Sequence, residues 1–312
     1  MLHRILITVL AIWLLCPIAR GQKIEDYPLP TIPDSITELE PRADYMVFHY
    51  WEKYNFQDTT LLAIPEYAEQ ALSNFIALLS YASPQGRQQA TDQWITLATS
   101  NAQSYDFFTK EAERYLYDPE SPLKNEDLLL CVLNSILASP IGNEYDKVHA
   151  QFLHQLISRN QPGTPAENFA FELPDGKHDS LSTFAPGKPL LLMFFDPECE
   201  SCKHTINQLH NDTTLTQALA NNQLALLTII PNDNENKWDN NSSPTKIEGV
   251  PLRAENYDAQ SENWYTAISL TDIKANALYD LKTLPSLYLL DSARNVLLKD
   301  TTPDTIDSYF KK

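Results

Sequence analysis

Hydrophobic side chains recur every three to four residues through the first half of the chain. Tyr45, Phe48 and Trp51 follow this spacing, and Ala68–Leu79 repeats it. Segments rich in proline, glycine and serine separate such runs at residues 83–86, 118–122 and 139–142. This periodicity is typical of amphipathic helices joined by turns. The pattern predicts five or six helices and an all-helical bundle between residues 41 and 160.

Two of these helices have clear predicted starts. Ser104 precedes a helical run over Tyr105–Tyr117, and Asn125 lies just ahead of one over Asp127–Leu137. Serine and asparagine side chains accept hydrogen bonds from the unpaired N–H groups of a first helical turn. We therefore expect both residues to be N-caps.

The pattern changes after residue 160, where continuous apolar runs replace the helical spacing. Four runs predict buried strands or a hairpin: Leu190–Phe195, Leu224–Ile230, Leu287–Leu290 and Val296–Leu298. Two stretches predict helices between them: Cys202–Ala220 and about Ile268–Tyr279. Strands that alternate with helices indicate an α/β layer. The predicted fold is an all-α N-terminal domain followed by an α/β domain at residues 161–312.

The first 22 residues have the pattern of a secretory signal peptide. Arg4 gives a positive start, Ile5–Cys16 is apolar, and Ala19–Gly21 offers small residues at a cleavage site. A membrane anchor and lipid attachment at Cys16 are alternatives, although Leu15 stands where lipoprotein signals have a small residue. We expect cleavage after residue 21 and export to the periplasm or cell envelope. Residues 22–40 are predicted to form an extended lead-in, with no integral membrane segment left after cleavage.

Composition restricts the partners. The 312 residues include 41 acidic and 23 basic side chains, a net charge of -18, and removal of residues 1–21 makes it more negative. Such a surface disfavours nucleic acid, whose phosphates need basic side chains, and docking on anionic lipid. The polar segment Asn232–Glu262 is predicted to be solvated, with Trp238 and the nearby Trp264 either packed in a core or in contact with substrate.

The candidate chemistry lies at Cys199 and Cys202. This C-x-x-C pair follows the predicted strand Leu190–Phe195 and opens a predicted helix. The unpaired N–H groups and partial positive charge of a helix N-terminus stabilise a thiolate. We expect Cys199 to attack a disulfide and Cys202 to resolve the mixed disulfide.

A C-x-x-C pair also occurs in zinc sites and in inert structural disulfides. A structural zinc site needs four ligands, and Cys131, His204 and His210 do not have the required spacing. The structural disulfide stays open as an alternative to the redox pair. Cys131 itself is interpreted as a buried core thiol, with a third redox partner as the alternative.

Two separated motifs resemble the thioredoxin fold. The C-x-x-C pair is followed about eighty residues later by Thr283–Asp291, and Gly163–Phe169 and Arg294–Val296 are similar to the opening segment and closing hairpin of exported TlpA/ResA-like thiol–disulfide oxidoreductases. The resemblance covers about residues 161–312. The helical half resembles a domain of unknown function that precedes thioredoxin-like domains in exported Bacteroidetes proteins.

This resemblance implies a thiol–disulfide oxidoreductase that exchanges electrons with protein thiols and disulfides and with an unidentified redox donor or acceptor. The redox-active disulfide Cys199–Cys202 would replace any metal or dissociable cofactor. It also implies a cis peptide bond before Pro285, which would present the backbone of Leu284 to a substrate chain as an added strand. The alternative is a non-catalytic binding protein whose thioredoxin-like domain carries a structural disulfide.

The chain departs from the family pattern around the cysteines. Thioredoxins usually have Trp where this chain has Glu198, and many have Pro where it has Ser201. The buried Asp that relays protons in thioredoxin falls at Met193, and the Glu of some ResA-like proteins falls at Thr205. No inherited proton shuttle is therefore visible, and His204 or Glu200 is the candidate substitute. Acidic neighbours disfavour a thiolate, whereas the helix N-terminus and Lys203 favour it. This balance predicts a reductant or isomerase rather than a strong oxidant.

Overall fold

The computed structural model describes residues 27–140, 144–231 and 263–311. The chain forms two compact units, residues 1–115 and 116–312, here called the N-terminal and C-terminal units. The predicted signal peptide, the start of the lead-in and the polar segment Asn232–Glu262, with Trp238, lie outside the described residues. Residues 27–38 contain no helix or strand.

The N-terminal unit is helical, as the spacing predicts. Its α-helices are α1 (Leu39–Phe48), α2 (Pro65–Leu79), α3 (Pro84–Ala98) and α4 (Ala102–Tyr117), and two 3₁₀ turns lie at Tyr50–Lys53 and Thr59–Ala63. Aromatic side chains fill the core, because rings of this size remove much apolar area from water. Its most deeply buried aromatic members are Tyr50, Trp51, Phe75, Trp94 and Phe108.

One of the two predicted N-caps is correct. Asn125 accepts the Leu128 N–H at 3.1 Å and begins helix α5 (Glu126–Ala138). The prediction for Ser104 is wrong, because the side chain of Asn101 accepts the N–H groups of Gln103 and Ser104 and starts α4 earlier. The buried Ser104 hydroxyl donates instead to the carbonyl of Phe56.

The C-terminal unit places a helix pair ahead of a mixed sheet. The pair consists of α5 and α6 (Glu144–Ser158). The strands are β1 (Ala170–Glu172), β2 (His178–Ser180), β3 (Leu190–Phe194), β4 (Ala225–Ile230), β5 (Trp264–Ser269), β6 (Ser286–Leu290) and β7 (Val296–Leu298). The remaining helices are α7 (Glu200–Asn211), α8 (Thr213–Ala220) and α9 (Pro303–Phe310). In the described residues the sheet order is β2-β1-β5-β4-β3-β6-β7, with parallel pairing for β3–β4 and β4–β5.

The central strands are buried on both faces, which explains their continuous apolar sequences. Leu190, Leu192 and Phe194 of β3 point into one core, and Leu191 and Met193 into the other. Helix α7 covers the second core through Cys202, Ile206 and Leu209. The Cys199–Cys202 pair therefore lies where the fully buried strand β3 leads into helix α7.

Two helix predictions in this unit need correction. The stretch Cys202–Ala220 divides into α7 and α8, because the Asp212 carboxylate caps a new helix at the Thr214 and Leu215 N–H groups. The prediction of a helix over Ile268–Tyr279 is wrong. Residues 264–269 form β5, and turns follow it. Aromatic and β-branched side chains favour this strand, which pairs with β4 along its length.

None of the helices in the described ranges has both the length and the apolar character needed to cross a bilayer.

Candidate active site

Cys199 lies at the junction between β3 and α7. It is the N-cap of α7, with an extended backbone, and its sulfur accepts the Cys202 N–H at 3.3 Å. Asp196 holds the preceding turn, since its carbonyl accepts the Cys199 N–H at 3.1 Å and its carboxylate accepts the Glu198 N–H at 2.7 Å. The predicted placement of the C-x-x-C pair at the start of a helix is correct.

The two cysteines, which the structure holds as thiols, differ in exposure and acidity. Cys199 is partly exposed, and Cys202 is fully buried. Burial acts to raise the pKa of the Cys199 thiol, but hydrogen bonds from Cys202 and Ser201 outweigh it and hold that pKa below its ordinary value. Burial raises the pKa of Cys202 to about 12, and the hydrogen bond to Cys199 contributes further. An accessible, acidified thiol beside a buried, protonated one suits an attacking and a resolving cysteine.

Ser201 contacts both Cys199 and Leu284. Its hydroxyl lies 2.9 Å from the sulfur of Cys199 and donates to the carbonyl of Leu284 at 3.0 Å. In the sequence this serine is visible only as a departure from the family pattern. The one local signal for this contact is a hydroxyl-bearing residue just before the second cysteine. Its partner Leu284 is 83 residues away, so the local sequence does not show the pairing.

The Leu284–Pro285 segment meets the redox pair, as the resemblance implies. The peptide bond between these residues is cis. The Cys199 thiol lies 3.6 Å from the Leu284 carbonyl oxygen, and the Leu284 side chain packs against both cores of the unit. The structure thus brings Cys199, Cys202, Leu284 and Pro285 together where β3 ends and β6 begins.

The charged neighbours have less influence than the sequence suggests. Lys203 forms an ion pair with Glu200 at 2.6 Å, so each partner neutralises the other. Glu198, Glu200 and His204 are exposed. The largest influences on the Cys199 pKa are burial and hydrogen bonds rather than these acidic side chains.

The remaining candidate residues lie away from the thiols or in the core. Met193 and Thr205, the positions of family proton-transfer groups, are buried. Cys131 is only half-buried on α5, so its interpretation as a buried core thiol is not exact. Trp264 is partly buried and packs against the core under α7. Within residues 27–140, 144–231 and 263–311, no group of three or more His, Cys, Asp or Glu side chains is arranged to hold a metal ion.

Comparison with known proteins decides the family. A thioredoxin-like protein from Bacteroides caccae, known from a crystal structure, is 31% identical over 92% of this chain and 99% of its own, with a TM-score of 0.76. The chain belongs to the thioredoxin-like family. This membership confirms the resemblance and the two-part fold, and it supports a redox function in general terms.

Further similarities concern parts of the chain. The profile of DUF5106, described as a domain of unknown function, matches residues 17–160. The C-terminal domain of an uncharacterized Bacteroides fragilis protein is 30% identical over 49% of this chain and 99% of its own, with a TM-score of 0.39. The thioredoxin domain of a thiol-disulfide oxidoreductase from Bacteroides vulgatus is 15% identical over 48% and 98%, with a TM-score of 0.34. No curated protein matches the chain.

Proposed function

We propose that this thioredoxin-like protein is an exported thiol–disulfide oxidoreductase that reduces or isomerises disulfides in other proteins. The observation that carries the proposal is the asymmetry of the pair. The partly exposed Cys199 thiol receives hydrogen bonds that favour its thiolate, whereas the buried Cys202 keeps its proton. A purely structural disulfide does not require two cysteines that differ in exposure and acidity.

The proposed reaction has two exchange steps. The Cys199 thiolate attacks one sulfur of a substrate disulfide, forms a mixed disulfide and releases the other substrate sulfur as a thiolate, which takes up a proton. Cys202 then gives up its proton and attacks the Cys199 sulfur, so the mixed disulfide breaks and the second substrate thiol leaves. The dithiol has lost two electrons to the substrate, and the protein holds a Cys199–Cys202 disulfide.

The direction of transfer follows from what stabilises the thiolate. Strong oxidants stabilise their reduced form with a very acidic thiolate. Here the stabilising groups are a hydroxyl, a thiol and backbone N–H groups, and the cation of Lys203 is paired with Glu200. Neutral hydrogen-bond donors stabilise a thiolate less than an unpaired cation would, which supports a reductant or isomerase rather than a strong oxidant.

Export, partners and cofactor use remain parts of the proposal. The signal-like residues 1–21 support work in the periplasm or cell envelope, where disulfides persist. A separate redox donor must then return the pair to the dithiol after each reduction. The exchange needs no metal or dissociable cofactor, since electrons pass through the cysteine pair.

A redox titration tests the proposal. The mature protein is equilibrated in thiol–disulfide buffers and its thiols are counted by the mass shift on alkylation, with Cys131→Ser as the control. We expect a two-electron transition of Cys199 and Cys202 between about -180 and -270 mV. A potential near -120 mV would indicate an oxidant, and a pair still oxidised below about -300 mV would indicate a structural disulfide.

A further inference from the structure

The segment that leads into the redox site, Asn276–Pro285, is here called the Leu284 loop. Residues 276–283 form neither helix nor strand. A loop without its own ladder of backbone hydrogen bonds depends on its neighbours for a fixed position. Its neighbours are the core against the sheet, in which Tyr279 and Leu281 are buried, and the ends of the α5–α6 helix pair. This helix pair lies inside the match to the domain of unknown function.

The end of α6 holds the first part of the loop. Arg159 donates to the carbonyls of Asn276 and Ala277 at 2.9 and 2.6 Å. Asn160, which is 3% exposed, donates to the Leu278 carbonyl at 2.8 Å. The Asn160 side-chain oxygen also accepts a backbone N–H, from Glu167. Three consecutive loop carbonyls are therefore fixed by two residues that follow α6.

The start of α5 holds the second part. Glu126, the first residue of α5, forms ion pairs with Lys299 at 2.8 Å and Lys282 at 3.9 Å. Lys282 also pairs with Asp280 at 3.1 Å. The four side chains are 6–17% exposed, so water screens them little. Lys282 lies three residues before Pro285, which brings this network next to the redox site.

Further contacts fix the two lysines. Lys299 donates to the carbonyls of Ile157 and Arg159 at 2.8 and 3.2 Å, so it joins Glu126 to the end of α6. The Lys282 ammonium also lies 3.8 Å from the ring centroid of Tyr117, a favourable cation–π distance. The network therefore links both helices of the pair to the loop.

Desolvation argues against stability as the sole role of this network. Taking two charges out of water costs about as much as their attraction returns, and apolar side chains of similar volume often stabilise a fold equally well. Paired charges do impose specific distances and angles. The contacts of Glu126 and Asn160 are thus better suited to fixing the loop in one position than to adding stability.

We infer that the α5–α6 helix pair positions the Leu284 loop for substrate, with Glu126 as the central positioning residue. The inference rests on the proposed thiol–disulfide exchange, because the Leu284 backbone is where a substrate chain would add as a strand beside Cys199. It gives the end of the domain of unknown function a role in substrate docking. Glu126 touches none of the groups that stabilise the Cys199 thiolate, and it acts on that thiol only through the Leu284 carbonyl that Ser201 also contacts.

Glu126→Gln tests the inference, because it removes the charge and keeps the size of the side chain. Its matched control is Glu172→Gln, which neutralises an exposed pair with His178 in the same unit. Two disulfides serve as probes: insulin, which must dock as a chain, and 5,5′-dithiobis(2-nitrobenzoate), which needs only Cys199. In the insulin assay dithiothreitol returns the protein disulfide to the dithiol after each turnover, and the small disulfide is mixed with the pre-reduced protein in a single turnover. Hydrogen exchange measured by mass spectrometry reports the protection of residues 276–285 in the intact protein.

For Glu126→Gln we expect faster hydrogen exchange in the Leu284 loop and a KM for insulin raised about three- to tenfold. Its kcat and its rate with the small disulfide should change far less than the insulin KM, because the effect on Cys199 is only indirect. Glu172→Gln should change none of these quantities. A purely structural role predicts instead a lower melting temperature with an unchanged insulin KM, and that result would overturn the inference.

Two further outcomes are decisive. Unchanged exchange in residues 276–285 would show that Glu126 does not hold the loop, and the inference would fail while the proposed function stood. If the unaltered protein reduced neither probe, the proposed function would fail, and the docking role would fail with it. Asn160→Asp keeps the shape but loses the donor to Leu278, so it repeats the test at the second anchor if Glu126→Gln does not fold.

Discussion

The hydroxyl of Ser201 lies 2.9 Å from the sulfur of Cys199 and 3.0 Å from the carbonyl oxygen of Leu284. A serine hydroxyl has one proton and two acceptor lone pairs. It can therefore accept from the Cys199 thiol while it donates to Leu284, or turn its proton toward the thiolate. Ionisation of Cys199 thus competes with the hydrogen bond from Ser201 to the Leu284 carbonyl.

The first prediction concerns this hydroxyl. Ser201→Ala should raise the pKa of Cys199, because the thiolate loses a hydrogen-bond donor while the burial that opposes it remains. Iodoacetamide alkylation of Cys199 at pH 7 should slow by about tenfold, which is the lower end for loss of one hydrogen bond to a charged group. The pH profile of the alkylation rate measures the shift.

Ser201→Thr is the control for this prediction, since it keeps the hydroxyl and should keep most of the rate. Glu200→Gln should leave the profile nearly unchanged, because Glu200 is exposed and paired with Lys203. A larger change in the alkylation rate for Glu200→Gln (an acceleration) than for Ser201→Ala (a slowing) would contradict this prediction. It would mean that charge rather than hydrogen bonding sets the pKa of Cys199.

The sequence predicts those parts of the fold in which a short segment contains its own signal. The apolar runs of β3, β4 and β6 are buried on both faces, so their composition alone identifies them. Strands β1 and β2 have three residues each and contribute little pattern. The apolar residues from Ile268 to Tyr279 imitate helical spacing, but tertiary contacts hold them as a strand end and a loop.

The same distinction applies to the site. Cys199, Cys202 and Pro285 belong to short sequence motifs, so the sequence alone predicts them. The contacts of Ser201 with Leu284 and of Glu126 with Lys299 join residues that are distant in the chain. No local pattern encodes such pairs, so the positioning of the loop becomes visible only once the chain is folded.

The second prediction concerns Arg294 in the turn between β6 and β7. The residue is 7% exposed, and its guanidinium donates to backbone carbonyls of the segment that precedes β3. The acceptors are Leu181, Phe184, Ala185 and Lys188. Arg294→Lys keeps the charge but loses the planar arrangement of donors, so buried carbonyls lose their partners.

We expect Arg294→Lys to lower the free energy of unfolding by about 2–4 kcal/mol, as measured by urea denaturation. Arg114→Lys is the comparison, because Arg114 is half exposed and its ion pairs with Glu69 and Glu111 lie at the surface. It should change the unfolding free energy by less than about 1 kcal/mol. Equal effects of the two variants would contradict the role assigned to Arg294.

The third prediction concerns Gly86 in the first turn of α3. Ser83 caps this helix, and its backbone N–H and hydroxyl both donate to the Asp44 carboxylate at 2.7 Å. A Cβ added at Gly86 would come within 2.5 Å of the Asp44 carboxyl carbon. Gly86→Ala should therefore destabilise the protein by about 1–3 kcal/mol, although alanine is the better helix former by about 1 kcal/mol.

A double-mutant cycle separates the two effects of Gly86→Ala. In an Asp44→Ala background the steric conflict is gone, so Gly86→Ala should become neutral or stabilising, and the coupling between the two sites should be measurable. Additive effects of the two changes would show that the carboxylate is not what restricts residue 86.

The fourth prediction concerns the stability of the reduced protein in alkali. Burial raises the pKa of Cys202 from its ordinary 9.0 to about 12, so the unfolded chain loses this proton first. Stability is therefore lost as the pH rises from 9 toward 12. The slope approaches about 1.4 kcal/mol per pH unit, and the loss from this thiol between pH 9 and 10 is about 1 kcal/mol.

Because Cys202 also lowers the pKa of Cys199, Cys202→Ala is introduced into a Cys199→Ser background, where Cys202 is the only thiol of the pair. Urea unfolding at pH 7, 9 and 10 should show the stability difference between Cys199→Ser and Cys199→Ser/Cys202→Ala shifting by about 1 kcal/mol in favour of the double variant between pH 9 and 10. Between pH 7 and 9 the shift should be only about 0.4 kcal/mol, because the thiol stays protonated in the fold and reaches half ionisation in the unfolded chain only at pH 9. A difference that is flat up to pH 10 would mean that Cys202 is as acidic in the fold as in the unfolded chain, and the asymmetry assigned to the pair would be wrong.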